Sequence, residues 1–308
     1  MLQGVMPIVV TPFDESGRLD EEGLRKVVHY ELEEEIHGIG VGGFASEAYK
    51  LTDQERMRCA EIVAEAVGGR VPLIIGMAPG STEAASRQAE YYGRFAPAAL
   101  MVLPPCTMNT SQDALIDHYV SLAAASGGPL MVQQSPHIPA YAHSPLSVES
   151  MAAIARRAGN VQYFKIEGAG SVDRMKALRQ LAGDSVTLFG GGGGITWPSE
   201  LLAGAAGLIP GCGFNEIFLK VWRSWNSGNQ DEAIRTLEHI QPLVDAVSGS
   251  GHEFSVHARK FLLKRAGIIE HATVRHPTVV AHDRDLEKIG ELADTFNLRI
   301  SRPRLSPR

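Results

Sequence analysis

Eight short apolar runs, spaced like the strands of repeated strand–helix units, constrain this chain more than any other feature. They are Gly4–Thr11, Gly38–Gly42, Pro72–Gly76, Ala98–Leu103, Pro129–Gln133, Gln162–Ile166, Val186–Phe189 and Gly207–Ile209. Their starts lie 34, 34, 26, 31, 33, 24 and 21 residues apart, close to the ~30 residues of a βα unit. The runs are continuous rather than alternating, as in parallel strands covered on both faces. Amphipathic stretches fill the gaps. Thr52 and Glu55 make a capping box, Ser111 precedes Ala114, Leu115 and Tyr119, and Leu24, Val27, Val28 and Leu32 recur at helical spacing. Ser144-Pro145 offers a cap residue before a proline at a first helical position. Eight alternations predict an α/β fold, a (β/α)8 TIM barrel over residues 1–222, with a doubly wound open sheet as the alternative. Beyond Phe214 the strand-like runs stop. Ile217–Trp225, Asp231–Val247, Phe254–Ala266 and Asp283–Phe296 read as helices, so residues 223–308 are expected to form a C-terminal helical appendage.

Composition narrows the function classes. With 308 residues, 44% hydrophobic, the chain is long enough for a large core and is not a disordered or fibrous sequence. A net charge of −6 gives no electrostatic footprint for nucleic acid. The basic tail from Arg302 to Arg308 reads as a frayed end. Cys59, Cys106 and Cys212 are odd in number and far apart, which argues for a reducing compartment and against a disulfide framework or a zinc site. No apolar run reaches the ~20 residues of a membrane helix, and no secretory leader is visible at Met1. A soluble, cytoplasmic protein without membrane or nucleic-acid partners is expected. No metal is expected either: His252 and His257 are five apart, off the i, i+4 face of a metalloprotease helix, and His118, His137 and His143 lack a carboxylate at ligand spacing.

Catalytic residues of such a barrel sit at the C-terminal ends of its strands. Of eight lysines, only Lys165 lies in a strand pattern, Gln162-Tyr163-Phe164-Lys165-Ile166. Burial there should lower its pKa, and a neutral amine can attack a ketone and form a Schiff base. The plainer reading is an ion pair with a carboxylate such as Glu167. Gln133 ends the fifth run and could orient a substrate hydroxyl or a water. Gly42-Gly43-Phe44-Ala45-Ser46-Glu47 ends the second; its backbone N–H groups near Ala45 and Ser46, with the Ser46 hydroxyl, could hold a carboxylate. Glu47 reads equally as a buried structural carboxylate. Gly190–Gly194 follows the seventh run, where Gly190 and Gly191 would let backbone approach a ligand. Ile209, closing the eighth run, completes the candidate substrate-binding set. The glycine run also admits a non-covalent phosphate-binding barrel, although no G-x-x-x-x-G-K-S/T loop is present.

These residues resemble the dihydrodipicolinate synthase/N-acetylneuraminate lyase family of class I aldolases and lyases. The match includes Pro7-Ile8-Val9-Val10-Thr11-Pro12-Phe13, the Gly43–Glu47 turn, Leu51-Thr52 with Glu55-Arg56, Pro104-Pro105 and Lys165-Ile166-Glu167. The resemblance implies a barrel with a C-terminal helical domain, a homotetramer, a Schiff-base lysine at Lys165 and no cofactor beyond that covalent imine. The departures concern the substrate. The family's G-T-T-G-E reads Gly43-Phe44-Ala45-Ser46-Glu47, Gln133 replaces its fifth-strand tyrosine, and Thr107 replaces a second one. One branch, the L-2-keto-3-deoxyarabonate dehydratases, is similar at Met131-Val132-Gln133, Pro136, Tyr163–Glu167 and Arg275-His276-Pro277. It implies dehydration of a 2-keto-3-deoxy sugar acid, with Lys165 forming the imine and Gln133 orienting substrate or water. A pyruvate-releasing aldolase on the same substrates is the alternative, and a catalytically idle 2-oxo-acid-binding barrel is a further one.

Overall fold

The computed structural model describes residues 1–142 and 145–302. Each expected apolar run overlaps a strand: β1 Gly4–Val5, β2 Ile39–Val41, β3 Leu73–Met77, β4 Ala99–Val102, β5 Leu130–Gln134, β6 Val161–Ile166, β7 Thr187–Phe189 and β8 Gly207–Leu208. The helices between them are α1 Glu21–Leu32, α2 Asp53–Val67, α3 Thr82–Gly93, α4 Gln112–Ser126, α5 Val148–Arg157, α6 Ser171–Ala182 and α7 Trp197–Leu202. Four more follow: α8 Glu216–Asn226, α9 Gln230–Ser248, α10 His252–Arg265 and α11 Asp283–Thr295. The architecture is therefore α/β. Among the described residues no helix is long and apolar enough to cross a membrane. Contacts cluster into two compact units, 1–3, 72–192 and 196–209 in one, and 4–71, 193–195 and 210–308 in the other. This partition by contact density differs from the sequence-based boundary at residue 222.

In the first unit, β3, β4, β5, β6 and β7 pair in that order, all parallel. Every residue of β3, β4 and β5 is buried, which is why their sequences are continuous apolar runs. A parallel bridge between Gly190 and Leu208 joins β8 to the end of β7. The register between β5 and β6 shifts once. Leu130 pairs with Val161, but Met131 pairs with Tyr163, so Gln162 is the extra residue. It is also the one exposed residue of β6. Beyond this bulge Gln133 is level with Lys165, and Lys165 with Phe189.

Helix starts follow the sequence signals, with one correction. Thr52 and Glu55 form the complete capping box of α2, and the Ser111 side chain accepts from Ala114 N. Ser144 lies outside the described residues, as do His143 and the tail beyond Arg302. α5 begins later than the Ser144-Pro145 signal suggests; its cap is Ser147, which accepts from Ser150 N at 3.1 Å.

In the second unit, Ile8 bridges in parallel to Gly40 on one side and Gly211 on the other. Leu24, Val27 and Val28 supply the buried face of α1. This unit also buries acid. Glu31, fully buried, accepts from Gly213 N at 2.8 Å and Asn215 Nδ2 at 2.7 Å. Arg299 donates to Glu34 at 3.0 Å through its guanidinium and to Glu216 at 2.7 Å through its backbone N–H. Burial, and then the charges of Glu31 and Glu216, raise the Glu34 carboxyl far above its usual range although Arg299 opposes them. A carboxyl raised on folding favours the native state while it is protonated, and that contribution is lost as pH climbs through the folded value. Glu34→Gln keeps an acceptor for Arg299 and removes the charge. Urea denaturation between pH 6 and pH 9 should show wild-type stability falling and the variant gaining about 1–2 kcal/mol at the alkaline end. Parallel curves for the two proteins would refute this.

Candidate active site

Lys165 is the penultimate residue of β6 and is 5% exposed. Valine, tyrosine, phenylalanine and isoleucine hold this strand in the sheet, and the lysine among them is largely removed from water. Two residues on, and so on the same side of the extended chain, stands Glu167. Its carboxylate lies 3.2 Å from Lys165 Nζ. The ion pair that the plainer reading of Lys165 required is therefore present.

Glu167 has three more partners. Gly192 N donates to Oε1 at 2.9 Å, Gln133 Nε2 donates to Oε2 at 2.8 Å, and the Ser135 hydroxyl makes a short bond to the same Oε2. Burial opposes ionisation of Glu167. The Lys165 charge, the Ser135 hydroxyl, His137 and the Gly192 N–H together outweigh it and hold the carboxyl at about 2. The site thus contains a buried anion bound by an ammonium and three neutral donors. Gln133, expected to face a substrate or water, gives its amide hydrogens to Glu167 and to Ser135 at 3.2 Å. Its place level with Lys165 follows from the bulge between β5 and β6.

Two neighbours escaped the sequence reading. Ser135 sits one residue beyond β5, where the same strand-end logic that selected Gln133 applies. His137 reads in the sequence only as a candidate metal ligand. It packs where a Cβ on Gly168 would lie 2.8 Å from its ring Nδ1. Burial lowers its pKa, and Lys165 and Arg174 lower it further against the pull of Glu167.

The glycine run serves these carboxylates. A Cβ on Gly191 would lie 2.2 Å from Glu167 Oε1, and one on Gly190 would lie 2.0 Å from Glu200 Oε2. Successive residues at the end of β7 face opposite sides, and each gives up its side chain to admit an acid. The expected approach of ligand to Gly190 and Gly191 is, on these sides, an approach of protein carboxylates. Ile209 is 1% exposed and donates its N–H to Gly190 O at 3.0 Å, so its backbone donor serves the sheet. A phosphate at this run would meet two buried acids and find the Gly192 donor engaged, which disfavours the phosphate-barrel reading.

Ala45 and Ser46 belong to the second unit. Phe44–Ser46 is a single 3-10 turn in which Ser46 N donates to Gly43 O at 3.1 Å. The Ser46 hydroxyl, fully buried, donates to Val9 O at 2.6 Å and accepts from Gly42 N at 3.1 Å. This hydroxyl, expected to help hold a substrate carboxylate, here ties the turn to Val9 and Gly42. Ala45 is half-buried, and the first N–H groups of a 3-10 turn have no partner within it. Glu47 takes a left-handed backbone, φ 51°, and is completely buried. It binds Lys260, Lys50 at 3.4 Å and Arg275 N at 3.1 Å, the structural carboxylate that the sequence allowed. Lys260 is a second buried lysine, missed because helical lysines are normally solvated. Burial lowers its pKa to about 8 despite Glu47, and it also donates to Thr273 O at 2.7 Å.

Among the described residues no three His, Cys, Asp or Glu side chains are grouped to hold a metal ion. Cys59 and Cys212 are buried and free, and Cys106 is exposed and free.

The geometry can be set beside known proteins. The chain is 28% identical over 284 residues to the L-2-keto-3-deoxyarabonate dehydratase of Azospirillum brasilense, covering 91% of this chain and 90% of that protein. It is 27% identical over 299 residues to the 4-hydroxy-tetrahydrodipicolinate synthase of Brucella abortus, covering 94% and 96%. Its fold superposes on the dihydrodipicolinate synthase of Thermotoga maritima with a TM-score of 0.87 at 23% identity, covering 96% and 99%. The 4-hydroxy-tetrahydrodipicolinate synthase of Methylacidiphilum fumariolicum SolV gives the same TM-score at 20% identity, covering 96% of each chain. Residues 1–295 match the dihydrodipicolinate synthetase family, and the chain belongs to that family of lyases.

Proposed function

We propose that the chain is a Schiff-base-forming lyase that dehydrates a 2-keto-3-deoxy sugar acid resembling L-2-keto-3-deoxyarabonate. The observation that carries the reading is the buried Lys165–Glu167 pair at 3.2 Å, with Gln133 rather than a tyrosine on the carboxylate. A phenol can relay protons, whereas an amide has no useful pKa. Proton transfer then falls to Glu167, the titratable group that faces the amine directly.

Lys165 gives a proton to Glu167 and adds to the C2 ketone; Glu167 passes that proton to the former ketone oxygen, which leaves as water when the cationic imine forms. The cationic imine draws electrons from C3, and Glu167 takes the C3 proton. While an ammonium faces it, Glu167 holds protons weakly. Conversion of that ammonium to an imine removes N–H donors from the carboxylate and raises its proton affinity. The resulting enamine expels the C4 hydroxyl, which takes up the proton and departs as water. Hydrolysis of the conjugated imine frees Lys165 and one dehydrated oxo acid. By the same resemblance we assign a closed (β/α)8 barrel over residues 1–222 with an appendage over 223–308, a cytoplasmic homotetramer, and no cofactor other than the covalent imine. Ala45 stays the backbone donor we assign to a carboxylate. Named synthases among the relatives favour carbon–carbon chemistry as the second reading. Mass spectrometry separates the two, since an aldolase yields pyruvate plus an aldehyde.

Borohydride trapping with pyruvate should label the peptide carrying Lys165, and Lys165→Ala should lower kcat by on the order of 10^4-fold or more. An adduct on Lys260, or turnover without any adduct, would end the imine reading. Gly191→Ala should displace Glu167 and cost about 10^2-fold in kcat, the scale of a 1 Å misplacement, while leaving Lys165 trappable. Unchanged kcat in that variant would remove Glu167 from the chemistry.

A further inference from the structure

A second buried acid stands behind the Lys165–Glu167 pair, and the reaction just described does not use it. Glu200, in α7, is 1% exposed. Its Oε1 accepts from the Ser171 hydroxyl at 2.7 Å and the Thr196 hydroxyl at 2.8 Å. Ser171 opens α6, directly after the segment that follows Glu167. Thr196 lies just after the glycine run that carries the Gly192 donor to Glu167. One carboxyl therefore ties together the two segments that flank Glu167. Its other oxygen, Oε2, is buried without a hydrogen-bond partner and sits against Gly190, 2.0 Å from where a side chain there would begin.

We propose that Glu200 is a positioning residue that acts through Glu167: it fixes the Gly192 donor on that carboxylate and, when ionised, places a second negative charge beside it. The proposal rests on the lyase reading above. The charged groups around Glu200 are Glu167, at the end of β6, and Arg174 of α6. Ser171 and Thr196 contribute only hydroxyls, and Gly190 with Leu208 closes the apolar side. No cation touches Oε2. Burial first, with Glu167 adding to it, raises Glu200 to about 6, although both hydroxyls and Arg174 oppose the rise. Glu167 is held at about 2. Two neighbouring acids with separated ionisations are the arrangement by which a site divides its protonation states at one pH. A second charge on Glu200 makes Glu167 a stronger proton acceptor, so turnover should rise as Glu200 ionises.

Wild type, Glu200→Gln and Glu200→Ala separate the parts. Glutamine fits the same space and keeps an acceptor for both hydroxyls, but carries no charge. Each protein is assayed for kcat against pH from 5 to 8 on a 2-keto-3-deoxypentonate and for borohydride trapping with pyruvate. Wild-type kcat should rise through the window around pH 6, and Glu200→Gln should trap normally yet lose that rise. Glu200→Ala should fall about 10- to 100-fold, the scale for a residue that orients a reacting group, and glutamine should recover most of that loss. A glutamine variant with the wild-type pH profile, or an alanine variant with wild-type kcat, overturns the proposal. If alanine prevents folding, as a thermal melt would show, the glutamine profile decides alone. Wild type that traps no pyruvate at Lys165 overturns the lyase reading instead, whatever the Glu200 variants do.

Discussion

A buried ion pair between residues two apart on one strand end organises this molecule's chemistry. An isolated carboxylate in a protein interior would take up a proton, and an isolated ammonium would lose one. The Lys165 charge helps to hold Glu167 ionised, but it does not suffice alone. Gln133, Ser135 and Gly192 complete the set of donors to the carboxylate. Breaking such a pair by removing one partner leaves an uncompensated charge, at a cost of about 3–5 kcal/mol. In the proposed reaction the site couples stability to reactivity: the amine leaves its carboxylate electronically, by becoming an imine, without leaving it in space.

Around this pair the sequence has made room rather than added groups. Gly190 and Gly191 are adjacent, yet each yields to a different acid. The run of five glycines, which looks in isolation like a flexible loop or a ligand cradle, begins as a tightly filled wall. In the second unit the same economy appears in Ser46, whose hydroxyl is used to close its own turn.

Much of this was legible in the sequence, for identifiable reasons. Strands covered on both faces leave unbroken apolar runs, so all eight strand positions could be read. Lys165 stood out because charge is costly inside such a run, and Glu167, named there as a carboxylate it could pair with, lies two residues on, the period of a strand. What stayed hidden depends on distant segments meeting. Lys260 and Glu47 are 213 positions apart, and a lysine on an amphipathic helix gives no sign of being buried. A glutamate in the first turn of a short helix, as Glu200 is, gives no sign in the sequence of being buried. Ser46 looked like a donor because a serine in a turn shows its type but not what its proton is bonded to.

The extra residue in β6 has a consequence of its own. Gln162 lies three positions before Lys165, toward the opposite edge of the sheet from the chemistry, and it decides which side chain stands level with Gln133. If Gln162 instead took a place in the ladder, the following stretch would slip by one residue, Phe164 would stand at that height, and the amine would turn to the other face of the sheet. Deleting Gln162, by contrast, would leave Val161 and Tyr163 opposite Leu130 and Met131 and keep the amine level with Gln133. The scaffold can therefore lose this residue and keep its register, but it cannot draw the residue into the pairing without displacing the amine.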